Sequence, residues 1–216
     1  MLSTTEQRDR LRRVFEKGSR LTYKKGEYII RPGETPSSVY YIESGVAKAY
    51  VITKYTEENV LILRKSNEIF PLIWSYTGQE RGVIYQTVTP LVVWKVQRKV
   101  YEDNILADPE LLAPILDMTT EMYSIHSERI MTLEYRTVRE RLISFLLQLA
   151  KRFSENTPDG TLITIPLRQA DIASSVNASR ESVTRELKSL DQKKLIRLQK
   201  TGILLLDKAK LKSFLE

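Results

Sequence analysis

Residues 167–190 read LRQADIASSVNASRESVTRELKSL and hold the side chains whose types and spacing best suit a specific chemistry. Arg180, Glu181 and Arg185 are an arginine, a carboxylate and a second arginine within two turns of a predicted helix. An arginine fork can donate two hydrogen bonds to guanine O6 and N7, and a glutamate can accept one from cytosine N4. Val183, Leu187 and Leu190 recur at helical spacing and predict a buried face, which turns Arg180, Glu181, Thr184, Arg185 and Lys188 outward. Ser179 suits the N-cap, where its hydroxyl accepts from the backbone N–H of Ser182 or Glu181. Before it, Asn177-Ala178 forms a tight bend, and asparagine tolerates the left-handed backbone such bends often need. Ile172, Ala173 and Val176 give a preceding helix its own apolar face. The pattern predicts a helix-turn-helix, and a hairpin over 195–206 makes it winged.

In that geometry the second helix enters the major groove and its first turns reach base edges. Arg180, Glu181 and Arg185 are the candidate base contacts. Thr184, Lys188, Ser179 and Ser182 are candidates for phosphates, with Arg168 and Gln169 at the start of the first helix, where amides also attract phosphate. An isolated Arg-Glu-x-x-x-Arg would more simply be a solvated face on a core helix. The bend, the cap, the apolar face, the wing and the local charge together favour DNA.

The charge is unevenly spread. Of 216 residues, 34 are Lys or Arg and 27 are Asp or Glu. Residues 1–136 carry 19 basic and 18 acidic side chains; residues 137–216 carry 15 and 9, a net charge of +6 on about 80 residues. Such a basic end points to a polyanion. With no cysteine, disulfide scaffolds, thiol nucleophiles and cysteine-bound metal centres are excluded. No apolar run has the roughly 18 residues of a membrane span, and the charged N-terminus is unlike a signal peptide, so the cytoplasm is the expected compartment.

The elements that must position the basic end are legible along the chain. Residues 4–18 predict a short amphipathic helix with Leu11, Val14 and Phe15 on one side. Strand-like runs follow at 27–30, 39–42, 46–52, 60–63, 83–88 and 91–96, separated by turn residues, which suggests an antiparallel sandwich or roll. From Pro109 the period changes. Ile115, Met118, Met122 and Ile125 recur every three or four residues, continued more weakly by Arg129 and Thr132. This long helix suits a two-stranded coiled coil joining two copies, although the same seam could pack on its own β-domain. Tyr135-Arg136-Thr137 is the candidate hinge before a helix over 138–153, and a strand over 161–166 precedes the helix-turn-helix.

These stretches resemble the cAMP receptor protein / fumarate–nitrate regulator (CRP/FNR) family of bacterial transcription factors. The matching segments are KKGEYIIRPGETPSSVYYIESGVAKAY (24–50), with glycines at Gly26, Gly33 and Gly45, and RQADIASSVNASRESVTRELKSLDQKKLI (168–196). The resemblance implies an α+β fold: an N-terminal antiparallel β-roll of the cyclic-nucleotide-binding, jelly-roll type (1–108), a long dimerisation helix and hinge (109–136), and a C-terminal winged helix-turn-helix (137–216). It further implies a homodimer on pseudo-palindromic double-stranded DNA, TGTGA-like half-sites read by Arg180, Glu181 and Arg185, DNA bending, and contact with RNA polymerase.

The chain departs from the family at the effector cassette. Cyclic-nucleotide members have a Gly-Glu-Leu segment, then an Arg-Ser/Thr-Ala segment. Aligned here are IFPLIWSY (69–76) and ERGVIY (80–85). Pro71 replaces the glycine and lacks an N–H, Leu72 replaces the glutamate, and Gly82 replaces the Ser/Thr, so only Arg81 remains. A ribose hydroxyl facing Leu72 would lose a buried partner, at about 1–3 kcal/mol. The expectation is therefore independence from cAMP, with the effector, if any, unknown. Leu72, Ile73, Arg81 and Gly82 remain the candidate pocket, joined by His126 and Ser127 on the long helix. Either large apolar groups fill the pocket or it holds an apolar or aromatic ligand. No cofactor or metal is predicted.

Two readings from other classes compete. One is a cyclic-nucleotide-binding signalling module acting through protein contacts, which the altered cassette disfavours. The other is a nuclease or recombinase, but no carboxylate cluster, Ser/His pair or phosphate-cradling glycine loop is evident, and no enzyme is predicted.

Overall fold

The computed structural model describes residues 2–199 and 202–215, so Lys200 and Thr201 of the predicted wing turn lie outside it. The chain divides into two compact units: residues 1–51 with 61–125, and residues 52–60 with 126–216.

The first unit begins with helix α1 (Thr5–Glu16), capped by Thr4, whose hydroxyl accepts from the Gln7 N–H. Eight antiparallel strands form two sheets. The first contains β1 (Ser19–Tyr23), β3 (Ser38–Ser44), β6 (Ile69–Phe70) and β8 (Leu91–Gln97), in the order β1-β8-β3-β6. The second contains β2 (Tyr28–Ile30), β4 (Ala47–Ile52), β5 (Glu58–Arg64) and β7 (Ile84–Thr87), in the order β2-β7-β4-β5. This is the β-roll anticipated above. The strand runs were readable from their β-rich composition; β1, the two-residue β6 and the short helix α2 (Leu72–Thr77) were not.

Strand β3 shows why. Its residues Ser38 to Ile42 are all buried, without the inside–outside alternation of a half-exposed strand. Tyr40 and Ile42 point into the roll interior with Ile30, Ala49, Ile62, Phe70, Tyr85 and Val93. Val39 and Tyr41 point the other way, into a second cluster with Leu11 and Phe15 of α1, Leu72 and Tyr101. A sheet covered on both faces reads as a continuous apolar run. The interior is held by stacked aromatics, Tyr40 on Phe70 at 5.1 Å and Phe70 on Tyr85 at 4.7 Å between ring centres. Arg64 is buried beside them. It pairs with Glu68 at 3.5 Å and donates to Met122 Sδ at 3.0 Å.

After a helical turn at Arg98–Tyr101 (α3) and a π-helical turn at Glu102–Leu106, the long helix α4 runs from Pro109 to Tyr135. Its predicted dimer seam makes contacts within its own chain. Ile115 is buried in the outer cluster of its own roll, Met118 and Met122 pack against that cluster, and Met122 and Ile125 pack against the roll interior. Arg129 is committed to residues 59, 60 and 174. The packing face of the helix and the face it leaves open differ by about a quarter-turn or more, a distinction that apolar spacing alone does not make. The open face carries Leu116, Tyr123 and Ile130 at seven-residue steps, each more than half exposed.

The second unit starts its own core with α5 (Val138–Arg152). Thr137 caps it reciprocally with Glu140: Thr137 N–H donates to Glu140 Oε2 at 2.7 Å, and Thr137 Oγ1 accepts from the Glu140 N–H at 3.4 Å. A four-stranded antiparallel sheet follows, β11-β12-β10-β9, from β9 (Ser154–Thr157), β10 (Gly160–Ile163), β11 (Ile196–Gln199) and β12 (Gly202–Leu205). Gly202 has a positive φ, and a side chain there would collide with the Ile163 carbonyl. Helices α6 (Gln169–Ser175) and α7 (Arg180–Gln192) lie between β10 and β11, and α8 (Lys208–Ser213) closes the chain. Among the described residues no helix is long and apolar enough to cross a membrane.

Phe70 contacts two aromatic partners and is completely buried, so Phe70→Ala should destabilise the roll by about 3–5 kcal/mol. Urea unfolding followed by tryptophan fluorescence is the measurement; a loss below about 1 kcal/mol would contradict this packing.

Candidate nucleic-acid interface

Helix α7 forms where its sequence requires. Ser179 is its N-cap, and the hydroxyl accepts from the Ser182 N–H at 3.1 Å. Asn177 takes a left-handed conformation, φ 49°, making the bend between α6 and α7. Val183, Leu187 and Leu190 are buried, at 0%, 2% and 1% exposure. Because these three occupy one side of the helix, Arg180, Glu181, Arg185 and Lys188 are all exposed. No ion pair among the described residues engages Arg180, Arg185 or Lys188. The Glu181 carboxyl is held below its ordinary range, first by its own backbone N–H at the helix start, then by the Ser179 hydroxyl and the Arg180 charge. It is an acceptor at neutral pH.

The rear of α7 is fixed on α5. Arg139 Nε donates to Glu186 Oε2 at 2.7 Å, and Arg139 Nη2 to Ser189 Oγ at 3.3 Å. The wing is tied to the same helix by the Leu198 N–H, which donates to Asp191 Oδ1 at 3.0 Å. Glu186 and Asp191 lie outside the set expected from the sequence. Their signal was their place on the buried side of a helix whose other charges face outward.

The predicted phosphate set divides. Ser179 and Ser182 bond to one another, hydroxyl to hydroxyl at 3.1 Å, as well as through the cap. Thr184 Oγ1 lies 2.7 Å from Gln169 Oε1 and donates to it, which locks α6 to α7. Arg168 is the N-cap residue of α6, and its guanidinium grips the buried Asp171 through two bonds, Nε to Oδ2 at 2.9 Å and Nη2 to Oδ1 at 2.8 Å. The same Nη2 is 3.3 Å from Glu58 Oε2. So Arg168 faces two carboxylates and is not an uncommitted cation.

The candidate effector residues are not brought together in the roll. Leu72 opens α2 and packs into the cluster outside the first sheet, while Phe70, two residues earlier, supplies the interior. A two-residue step along a strand keeps the same face, but the chain turns into a helix at Pro71, and that reverses the expectation. Ile73 is 38% exposed, and Arg81 and Gly82 are exposed on the loop before β7. The Arg81 and Arg64 charges both bear on the Tyr85 hydroxyl, whose pKa is nonetheless raised by burial. His126 and Ser127 are half-buried on the part of α4 that belongs to the second unit. Arg64 and Glu68, the buried pair, were not anticipated; an arginine in an apolar strand was the available signal.

The comparisons with known proteins agree with this architecture. Residues 20–107 match the cyclic nucleotide-binding domain family, and residues 140–214 match the Crp-like helix-turn-helix domain family. The chain is 30% identical over 183 residues to the global nitrogen regulator of Synechococcus elongatus, covering 84% of this chain and 82% of that protein. It is 28% identical over 176 residues to the cAMP-activated global transcriptional regulator CRP of Salmonella typhimurium, covering 81% and 83%. In fold it is similar to a mutant of CooA from Carboxydothermus hydrogenoformans, with a TM-score of 0.78 at 19% identity over 94% of this chain and 90% of that one. FixK2 from Bradyrhizobium japonicum gives the same TM-score, 0.78, at 19% identity over 90% and 96%. A roll of the cyclic-nucleotide-binding type joined by a long helix to a winged helix-turn-helix defines a class of DNA-binding regulators. The chain belongs to one family of that class, the CRP/FNR transcription regulators.

Removing the cap hydroxyl in Ser179→Ala should cost about 1 kcal/mol of stability in the second unit. Amide exchange at Ser182, whose N–H would lose its acceptor, checks this directly.

Proposed function

We propose that this CRP/FNR regulator acts as a homodimer on pseudo-palindromic DNA, reads TGTGA-like half-sites through Arg180, Glu181 and Arg185, and works without cAMP. The observation that carries the reading is the outward face of α7. Two guanidinium groups that make no ion pair among the described residues flank an ionised carboxylate in the first turns of a helix whose opposite face is fully buried. Such a helix offers two donor forks and an acceptor to base edges, suited to two guanines and a cytosine. Lys188 and the Gln169 amide lie beside them for phosphate contacts. Recruitment of RNA polymerase is part of the same proposal, on the strength of the family.

Dimerisation is proposed through the open face of α4. Leu116, Thr120, Tyr123, Ser127 and Ile130 follow one another at steps of four, three, four and three, all exposed except the half-buried Ser127. That is a coiled-coil spacing, and large apolar groups at seven-residue steps need a partner surface. This face replaces the seam of Ile115, Met118, Met122, Ile125 and Arg129.

Independence from cAMP rests on the cassette. Pro71 offers no N–H, Leu72 is committed to the outer cluster, and Arg81 stands on the surface. The roll interior is occupied by Tyr40, Phe70 and Tyr85, and the Arg64 charge buried there is met by Glu68. A small apolar effector would have to displace packed rings.

Selection of bound sequences from a random DNA pool tests the whole reading. The expected product is a two-fold symmetric site with centres one turn apart, the same with and without added cAMP. Arg180→Ala and Arg185→Ala should each cost about 1–3 kcal/mol in binding and relax one base pair per half-site. Unaltered selection at every position in Arg180→Ala would remove that base contact from the proposal.

Tyr123→Glu should yield monomers in sedimentation and weaken binding to the palindrome by about a hundredfold or more, because the second half-site is no longer an intramolecular event. A dimeric Tyr123→Glu variant would show that the copies join elsewhere.

A further inference from the structure

Residues 52–60, the end of β4, the turn after it and the start of β5, belong to the second unit together with the helix-turn-helix. The first three residues of β5 are held there. The Val60 N–H donates to Ser174 Oγ at 2.7 Å, and the same hydroxyl donates to the Glu58 carbonyl at 2.6 Å. Ser174 lies at the end of α6, the first helix of the motif. Arg129 completes the attachment. It donates to the Val60 carbonyl, to Asn59 Oδ1 at 2.8 Å and to the Ser174 carbonyl at 3.4 Å. Burial lowers the pKa of Arg129, and these three acceptors stand in for the water it has lost.

The side chain of Glu58 reaches the opposite end of α6. There it meets Arg168, already gripped by Asp171. Arg168 immediately precedes Gln169, which is bonded to Thr184 of α7. A carboxylate at this position has two effects on a DNA backbone. It occupies part of the Arg168 guanidinium at the head of α6, and its own charge repels phosphate. Both effects are electrostatic and independent of DNA sequence.

We propose that residues 58–60 are an autoinhibitory strap on the helix-turn-helix: Ser174 and Arg129 anchor it, and Glu58 blocks Arg168 from phosphate until the strap lets go. This rests on the DNA-binding reading above. DNA and strap then compete for one surface, so each must weaken the other. The control is Glu57, the exposed neighbour, which carries the same charge but is not paired with Arg168.

The test compares the full-length chain with Glu58→Gln, Glu57→Gln and Ser174→Ala, on the selected site and on a random duplex. Glu58→Gln is expected to bind both duplexes about three- to tenfold tighter at low salt, and its affinity should depend on salt with a slope steeper by about one ion. Glu57→Gln should gain less than half as much on a logarithmic scale. Ser174→Ala should also bind more tightly and lose protection of the Val60 amide without DNA. In the unaltered chain, adding duplex should accelerate exchange of that amide. Equal affinities and slopes for Glu58→Gln and the unaltered chain, or Val60 exchange indifferent to duplex, would overturn the strap while leaving the regulator reading intact. An unaltered chain that binds no duplex at all would overturn both.

Discussion

Helix α7 commits one side to its core, the side that carries Val183, Leu187 and Leu190. Everything proposed about recognition follows from that commitment. With 3.6 residues per turn, burying positions 183, 187 and 190 fixes the directions of 180, 181, 185 and 188. The buried side is secured by α5, through Arg139 on Glu186 and Ser189, and by the wing, through Leu198 on Asp191. The polar residues on that side serve the packing, and those on the opposite side are left to solvent. The division of labour between Glu181 and Glu186, five residues apart, is a consequence of helical period.

The β-roll obeys a different constraint. Its first sheet is covered on both faces, by α1, α2 and the beginning of α4 on one and by the second sheet on the other. Side chains in β3 alternate between two cores and not between core and water. The same double coverage makes Leu72 a packing residue. Once Pro71 begins a helix, Leu72 belongs to the outer cluster, and the residue that faces the interior is an aromatic ring. The interior of this roll holds stacked rings and the buried Arg64–Glu68 pair.

Helix α4 joins these two regimes. Along its first half one side is absorbed by the roll, and Arg129 further on is absorbed by the start of β5. What remains is a narrow apolar stripe with small polar residues between the large ones. The Arg129 contacts and the open stripe are consequences of one arrangement: the helix has more amphipathic character than the roll alone uses.

The sequence by itself determined the α+β class, the positions of most strands, the long helix, the bend at Asn177, the cap at Ser179 and the outward set of α7. These are local matters, settled by side-chain period, by the left-handed tolerance of asparagine and by hydrogen bonds spanning three residues. The net charge of the basic end is equally local, since it is a sum over residues. What only the tertiary structure decided is which of two apolar stripes on α4 is buried, where Leu72 points, and that Arg168 is held by Asp171 and Glu58. Those outcomes depend on surfaces that are distant in sequence: Glu58 and Arg168 are 110 residues apart, and Arg64 meets Met122 across 58. Periodicity shows that a face is apolar, but the surface that covers it is supplied by the rest of the chain.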